Sequence, residues 1–186
     1  MSSQVFVEKK KLAKPPLEIH YLGDRALRQG AKRVARVDAT IRDIVREMLQ
    51  TMYSADGIGL AAPQVGIQKQ LLVVDCEPDN AATPPLVLIN PTITRYGKEL
   101  SVYQEGCLSI PDVYLEVTRP EAIEVSYKDE QGRPQKITTT GLVSRCIQHE
   151  IDHLSGVLFV DRVENRLALT EELTKHGFSP QNVRPV

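Results

Sequence analysis

Cysteine is scarce in this chain of 186 residues: there are three, Cys76, Cys107 and Cys146. A small odd number in a mid-sized chain argues against a disulfide framework. It points to a reducing compartment, with thiols used as ligands or as core residues. An excess of one charge is missing too. Lys and Arg number 23 against 24 Asp and Glu, a formal net charge of −1, so the chain as a whole has no bias toward nucleic acid. The one basic cluster, Lys9, Lys10, Lys11 and Lys14, lies near a terminus and reads as part of a solvated tail. No apolar run approaches the roughly 20 residues that a membrane span requires. The N-terminal stretch has no apolar core of signal-peptide type. A cytoplasmic protein is expected. Internal repeats and low-complexity segments are also absent.

Apolar residues at 41% and charged residues at 25% make an ordinary soluble balance. The length suits one domain that buries its core without disulfides. Residues 1–16 read as a flexible N-terminal tail, 17–163 as the main domain and 164–186 as a C-terminal helix and tail. In Thr40–Tyr53, Ile41, Ile44, Val45, Met48, Leu49 and Met52 recur at the spacing of one helical face. Asp38 or Thr40 can cap its start, Asp43 forms a capping-box pattern with Thr40, and Asp56-Gly57 ends it. "GIGLAAPQVG" (Gly57–Gly66) has no usable period and reads as a loop. "LLVVD", "LVLIN", "PTITRY" and "ELSVYQ" are strand candidates. "AIEVSYKDEQGRPQKITTT" alternates through Ile123, Val125 and Tyr127 and reads as a hairpin turning at Glu130–Pro134. A second helix is expected from Thr140 or Gly141 to Ser155, with Gly156 beyond it, and a third from Glu164 to His176. Strands outnumber helices without regular alternation. The expected class is α+β, a single domain of mostly antiparallel sheet around a central helix.

That central helix carries "RCIQHEIDHLSG" (Arg145–Gly156), which contains H-E-x-x-H. His149 and His153 are four apart, so both imidazoles share one face and can converge on one ion. Glu150 projects beside them, where it can reach water on the ion rather than the ion itself. A third ligand is needed. Cys146 is seven residues from His153, about 10.5 Å along the helix, too far for two bonds of about 2.3 and 2.1 Å to one ion. Glu171 or Glu172 would serve in a metallopeptidase of the Glu-zincin kind. In the metzincin pattern the third His position holds Phe159. A structural zinc would need Cys146 or His176 as a fourth ligand and would leave Glu150 idle. Cys107, in "YQEGCLSIP", is the remaining candidate.

Three segments, "GIGLAAPQ" (Gly57–Gln64), "EGCLS" (Glu105–Ser109) and "QHEIDHLSG" (Gln148–Gly156), resemble in order and spacing the three signature motifs of the peptide deformylases, over about residues 17–162. "PDVYLEVTRP" is similar to the plastid and cyanobacterial-like type 1B members. Tyr114 stands there where many bacterial members carry an Arg that contacts the peptide. The resemblance implies a hydrolase that removes formyl from N-formylmethionine, with an H-E-x-x-H metallopeptidase as the alternative reading. It implies metal ligands Cys107, His149 and His153, with water in the fourth position. Glu150 is the implied general base, and Gln64 and the Leu108 backbone N–H are the implied oxyanion donors. The implied substrate-binding residues are Ile58, Gly59, Tyr103, Glu105, Gly106, Tyr114, Leu142 and Cys146, with His149 beside them. The implied cofactor is one divalent ion, Fe(II) in the cell, for which Zn(II), Ni(II) or Co(II) can substitute. The implied partners are N-formylmethionyl nascent peptides and the ribosome that presents them. A monomer is expected, with no direct nucleic-acid or membrane partner. The implied setting is the bacterial cytoplasm, or a plastid for a processed form.

Overall fold

The structure, a computed structural model, describes residues 5–186. Its elements run α1 (Ala39–Ser54), β1 (Gly59–Ala61), β2 (Leu71–Val74), β3 (Leu86–Tyr96), β4 (Leu100–Cys107), β5 (Ile110–Pro120), β6 (Ala122–Lys128), β7 (Pro134–Thr140), α2 (Gly141–Leu154) and α3 (Arg166–Lys175). All strand pairs named here are antiparallel. Five strands form one sheet in the order β1-β2-β3-β6-β7, and β4 and β5 form a separate hairpin. This is the expected α+β domain with α2 at its centre.

The sheet lies between two helices, and β2 shows why. All four of its residues are buried. Leu71 and Val73 belong to the cluster of α1, with Val45, Met48 and Met52. Leu72 and Val74 belong to the cluster of α2, with Cys146 and Ile147. Successive strand side chains point to opposite faces, so an unbroken apolar run is what a strand covered on both sides needs. A third cluster joins β5 and α3 through Ile110, Val113, Leu115, Val117, Leu169 and Leu173 with Phe159. The C-terminal helix therefore packs on the hairpin.

Local chemistry sets the element ends. Asp38, not Thr40, caps α1: its carboxylate accepts from the Ile41 N–H at 3.0 Å, while Asp43 pairs with Arg46 at 2.6 Å. After the helix the chain turns through Asp56 at φ 56°. "LVLIN" and "PTITRY" are one strand rather than two. The register of β3 shifts between Ile89 and Thr92, around Asn90 at φ 53° and Pro91. A proline has no N–H for the ladder and is tolerated at a bulge. The buried Asn90 amide pairs with both the N–H and the carbonyl of Val34, at 2.8 and 2.9 Å. One expectation of a loop fails. Gly57–Gly66 contains strand β1 and a 3-10 turn over Ala62–Val65. Beyond Cys107 the chain turns at Leu108 and Ser109 and enters the long strand β5, with Pro111 inside it.

The basic N-terminal stretch also differs from a solvated tail, although its first four residues lie outside the described ones. Val5 and Val7 pack on the α1 cluster, and the Leu12 N–H donates to Ser54 Oγ on α1. Lys9 Nζ sits 2.7 Å from the buried Asp75 carboxylate and donates to the carbonyls of Glu77, Asn80 and Thr83. Tyr53 Oη donates to the same Asp75 carboxylate at 2.6 Å. These acceptors become neighbours only when the chain is folded, so a lysine-rich sequence read alone does not reveal them. Lys9→Met removes the cation and leaves Asp75 buried. It is expected to cost about 3–5 kcal/mol, measured as a lower urea midpoint with an unchanged m-value.

Candidate active site

Helix α2 and the tip of the β4–β5 hairpin meet at a cleft of about 530 Å³. The hairpin turns through Leu108 and Ser109, and its register shifts between Glu105 and Cys107, which carries Cys107 to the tip. The helix presents His149 and His153 one turn apart, ring centroids 5.1 Å from each other. Cys107 Sγ lies 3.4 Å from His153 Nε2. One ligand atom from each of Cys107, His149 and His153 falls within 4.8 Å of the other two. Among the described residues this is the group of three His, Cys or acidic side chains close enough to share an ion.

The donor set fits a divalent metal. Glu105 Oε2 lies 3.0 Å from His149 Nδ1. A carboxylate there accepts, so Nδ1 carries the proton and Nε2 keeps its lone pair for an ion. Burial is the largest cause holding His153 well below the usual histidine range, and a metal ligand has to be neutral. Glu150 Oε2 is buried and has no hydrogen-bond partner among the described residues. Burial raises the Glu150 pKa to about 7.

Glu105 is the hub behind the histidine. Burial favours its neutral form, but hydrogen bonds from His149 and Arg119 outweigh that and hold its pKa far below the carboxylate range. Arg119 donates through Nε and Nη2 at 2.5 and 2.9 Å, and Arg145 through Nη1 at 2.8 Å. Arg119 Nη1 continues to Asp152 at 2.9 Å, and Asp152 also accepts from Arg162. By resemblance Glu105 is a substrate contact, and nothing in the sequence marks Arg119, Arg145 or Asp152 as parts of a site. No local spacing announces a network that joins two strands and a helix.

Gln64 is placed beside Cys107. Its Oε1 accepts from the Ala61 N–H at 2.8 Å, which orients the amide. Its Nε2 faces Cys107 Sγ at 3.4 Å and Ser109 Oγ at 3.1 Å. Ile58, Gly59, Glu105, Gly106, Leu108, Tyr114, Leu142, Cys146, His149 and Glu150 all line the cleft. Tyr103 does not. The residue is 67% exposed, its ring lies 5.7 Å from the guanidinium carbon of Arg145, and it is Arg145 that lines the cleft. A Cβ on Gly59 would collide with the Glu150 carboxylate, and one on Gly106 would lie 2.5 Å from the Tyr114 ring. Both glycines are therefore clearances for neighbouring side chains.

The other ligand sets are not assembled. Phe159 stacks on His149 at 5.9 Å between centroids. Glu172 on α3 pairs with Lys175 and His176, each at 3.5 Å. Cys146 Sγ lies 3.7 Å from Cys76 Sγ. No helix among the described residues is long and apolar enough to cross a membrane.

Residues 16–168 match the family model described as polypeptide deformylase. Over 186 residues the chain is 66% identical to a peptide deformylase of Microchaete diplosiphon and to one of Synechocystis sp., covering all of both chains in each case. Its fold is similar to the crystal structure of a peptide deformylase from Synechococcus elongatus in complex with actinonin. There the TM-score is 0.96 at 69% identity, covering 97% of this chain and 98% of that one. For a plant peptide deformylase the TM-score is 0.82 at 37% identity, covering 89% of each chain.

Glu105→Gln takes away the carboxylate that fixes His149. It is expected to weaken divalent-ion binding by about 10–100-fold, measured by competition with a chelator, with the circular dichroism spectrum unchanged.

Proposed function

The chain belongs to the peptide deformylase family, and on that premise we propose how its own residues carry out the family's reaction. That reaction is hydrolysis of the formyl group from the N-formylmethionine of newly made proteins. The observation that carries the assignment of roles is the convergence of Cys107, His149 and His153 beside the unpartnered carboxylate of Glu150.

Cys107, His149 and His153 would hold one divalent ion, the three protein ligands that a catalytic rather than a structural site uses. The ion would supply Lewis acidity, lowering the pKa of water and polarising the formyl carbonyl. Glu150 takes the proton from the attacking water and delivers it to the amine nitrogen as the C–N bond breaks, so formate and a free amino terminus leave. The Gln64 amide and the Leu108 N–H donate to the formyl oxygen as its negative charge grows. Gln64 is held for that task by the Ala61 N–H.

The substrate backbone adds to β1, which is an edge of the five-stranded sheet, and Ile58 and Gly59 on that side face the cleft. The methionine side chain enters between Ile58, Leu142, Cys146 and His149, with Arg145 completing the wall expected of Tyr103. Tyr114 takes the rim position of the missing Arg and offers a hydroxyl to the peptide. The native ion is Fe(II), with Zn(II), Ni(II) or Co(II) as substitutes. The enzyme acts as a cytoplasmic monomer on chains emerging from the ribosome.

Formate release from formyl-Met-Ala-Ser by anaerobically prepared protein tests these roles. Glu150→Gln is expected to lose about 10²–10⁴ in kcat with its metal retained, whereas Cys107→Ala loses metal and activity together. Full activity in Glu150→Gln would remove the assigned base. Gln64→Leu is expected to lower kcat by about 10²–10³ with little change in metal content. An unchanged kcat in that variant would take Gln64 out of the oxyanion site.

A further inference from the structure

Two thiols outside the ligand set face each other across the sheet–helix interface. Cys76 follows β2 and is half-buried; Cys146 is buried on α2. Their sulfurs are 3.7 Å apart, and both pack in the cluster that holds α2 on the sheet. Cys146 also lines the cleft, four residues before Glu150 and so on the same helical face one turn away. The reaction above uses neither thiol as a nucleophile or ligand.

We propose that Cys76 and Cys146 are an oxidisable dithiol. A low-molecular-weight disulfide of the glutathione class converts them to a cystine that withdraws the Cys146 sulfur from the methionine wall. The bond itself stands on the sulfur geometry alone; its effect on catalysis rests on the pocket assignment. Cys76 is the attacking thiol, because it is the more exposed of the two. The hydrogen bond between the sulfurs lowers the Cys76 pKa and raises that of Cys146, which favours a thiolate on Cys76. That thiolate attacks one sulfur of the small disulfide. The S–S bond breaks, one small thiolate leaves, and a mixed disulfide forms on Cys76. Cys146 then gives up its proton to solvent and attacks the Cys76 sulfur, expelling the second small thiolate. The two protein thiols lose two electrons and the small disulfide gains them.

Closing the bond brings the sulfurs from 3.7 Å to about 2.05 Å. The cross-link ties the end of β2 to α2 on the stretch that forms the pocket. The cleft wall changes shape, while Glu150 lies about one turn and His153 about two turns further along α2. The cost should therefore fall on substrate binding more than on turnover.

The test treats Ni(II)-loaded protein with oxidised glutathione, quenches with iodoacetamide and maps the peptides. In parallel, formate release is measured before and after dithiothreitol. The expected result is a loss of two hydrogens in the intact mass, in a peptide joining Cys76 to Cys146. KM is expected to rise roughly tenfold, with kcat changed much less, and to recover on reduction. Cys76→Ser should start with wild-type activity and be insensitive to the oxidant. Alkylation of both thiols after oxidation of still-folded protein would overturn the proposal. So would loss of activity in Cys76→Ser equal to that of the wild type, which would place the damage at Cys107. A cross-link that leaves KM unmoved would overturn the effect on the pocket. Absence of formate release before any oxidation would instead fault the functional reading, which the peptide map does not depend on.

Discussion

The buried carboxylate of Glu105 is the constraint on which the site depends. It stands on β4, but its partners come from β5 and α2: Arg119, Arg145 and His149. A lone charge in that position would protonate or force the elements apart. Surrounded by four donors it stays ionised, and each donor is oriented in return. His149 gains a defined tautomer. Arg145 is held against the Val117 carbonyl and Ser101, so the cleft wall is rigid on that side. Arg119 extends the chain of charges to Asp152, next to His153. Buried ion networks of this kind contribute modestly to stability, because desolvation offsets attraction. Here the network's use is geometric: it fixes the hairpin that carries Cys107 against the helix that carries the histidines.

The opposite side of the cleft is set by close packing rather than by charge. The α2 helix rests on Ala61, Leu72 and Val74 of the sheet. The edge strand β1 approaches it so closely that a Cβ at position 59 would displace the Glu150 carboxylate. The carboxylate that would move the proton and the strand edge that would hold the peptide are thereby brought to neighbouring positions. Gly106 does the same for the Tyr114 ring on the hairpin side. Both glycines keep ordinary negative φ values, so their role is space rather than backbone freedom.

Much of this was legible in the residue order. The faces of α1 and α2 follow from apolar spacing, and the β6–β7 hairpin from alternation and its turn. The set of Cys107, His149 and His153 came from matching three short segments, since Cys107 alone looks like any core cysteine. Other parts were not legible, for identifiable reasons. β1 is three residues long and pairs only because β2 lies next to it. β5 contains Pro111 and Asp112 and looks like a turn until β4 supplies a partner. Lys9 has no local acceptor, and its carbonyl cage is made by residues about 70 positions away. Tyr103 looks like cleft lining by position, yet it is largely exposed and it is Arg145 beside it that lines the cleft.

The sequence by itself determined the local features: where helices start and end, which faces are apolar, and that two histidines four residues apart point to one place with a glutamate beside them. Those depend on neighbours within a turn of helix or a few residues of strand. Only the tertiary structure decided how close the Cys107 thiol comes to the histidines, which donors keep Glu105 charged, and which side chain lines the cleft. These depend on distances between residues from 14 to 46 apart in the chain, such as Glu105 to Arg119, Glu105 to Arg145 and Cys107 to His153. Such distances exist only once the hairpin, the sheet and α2 have packed together.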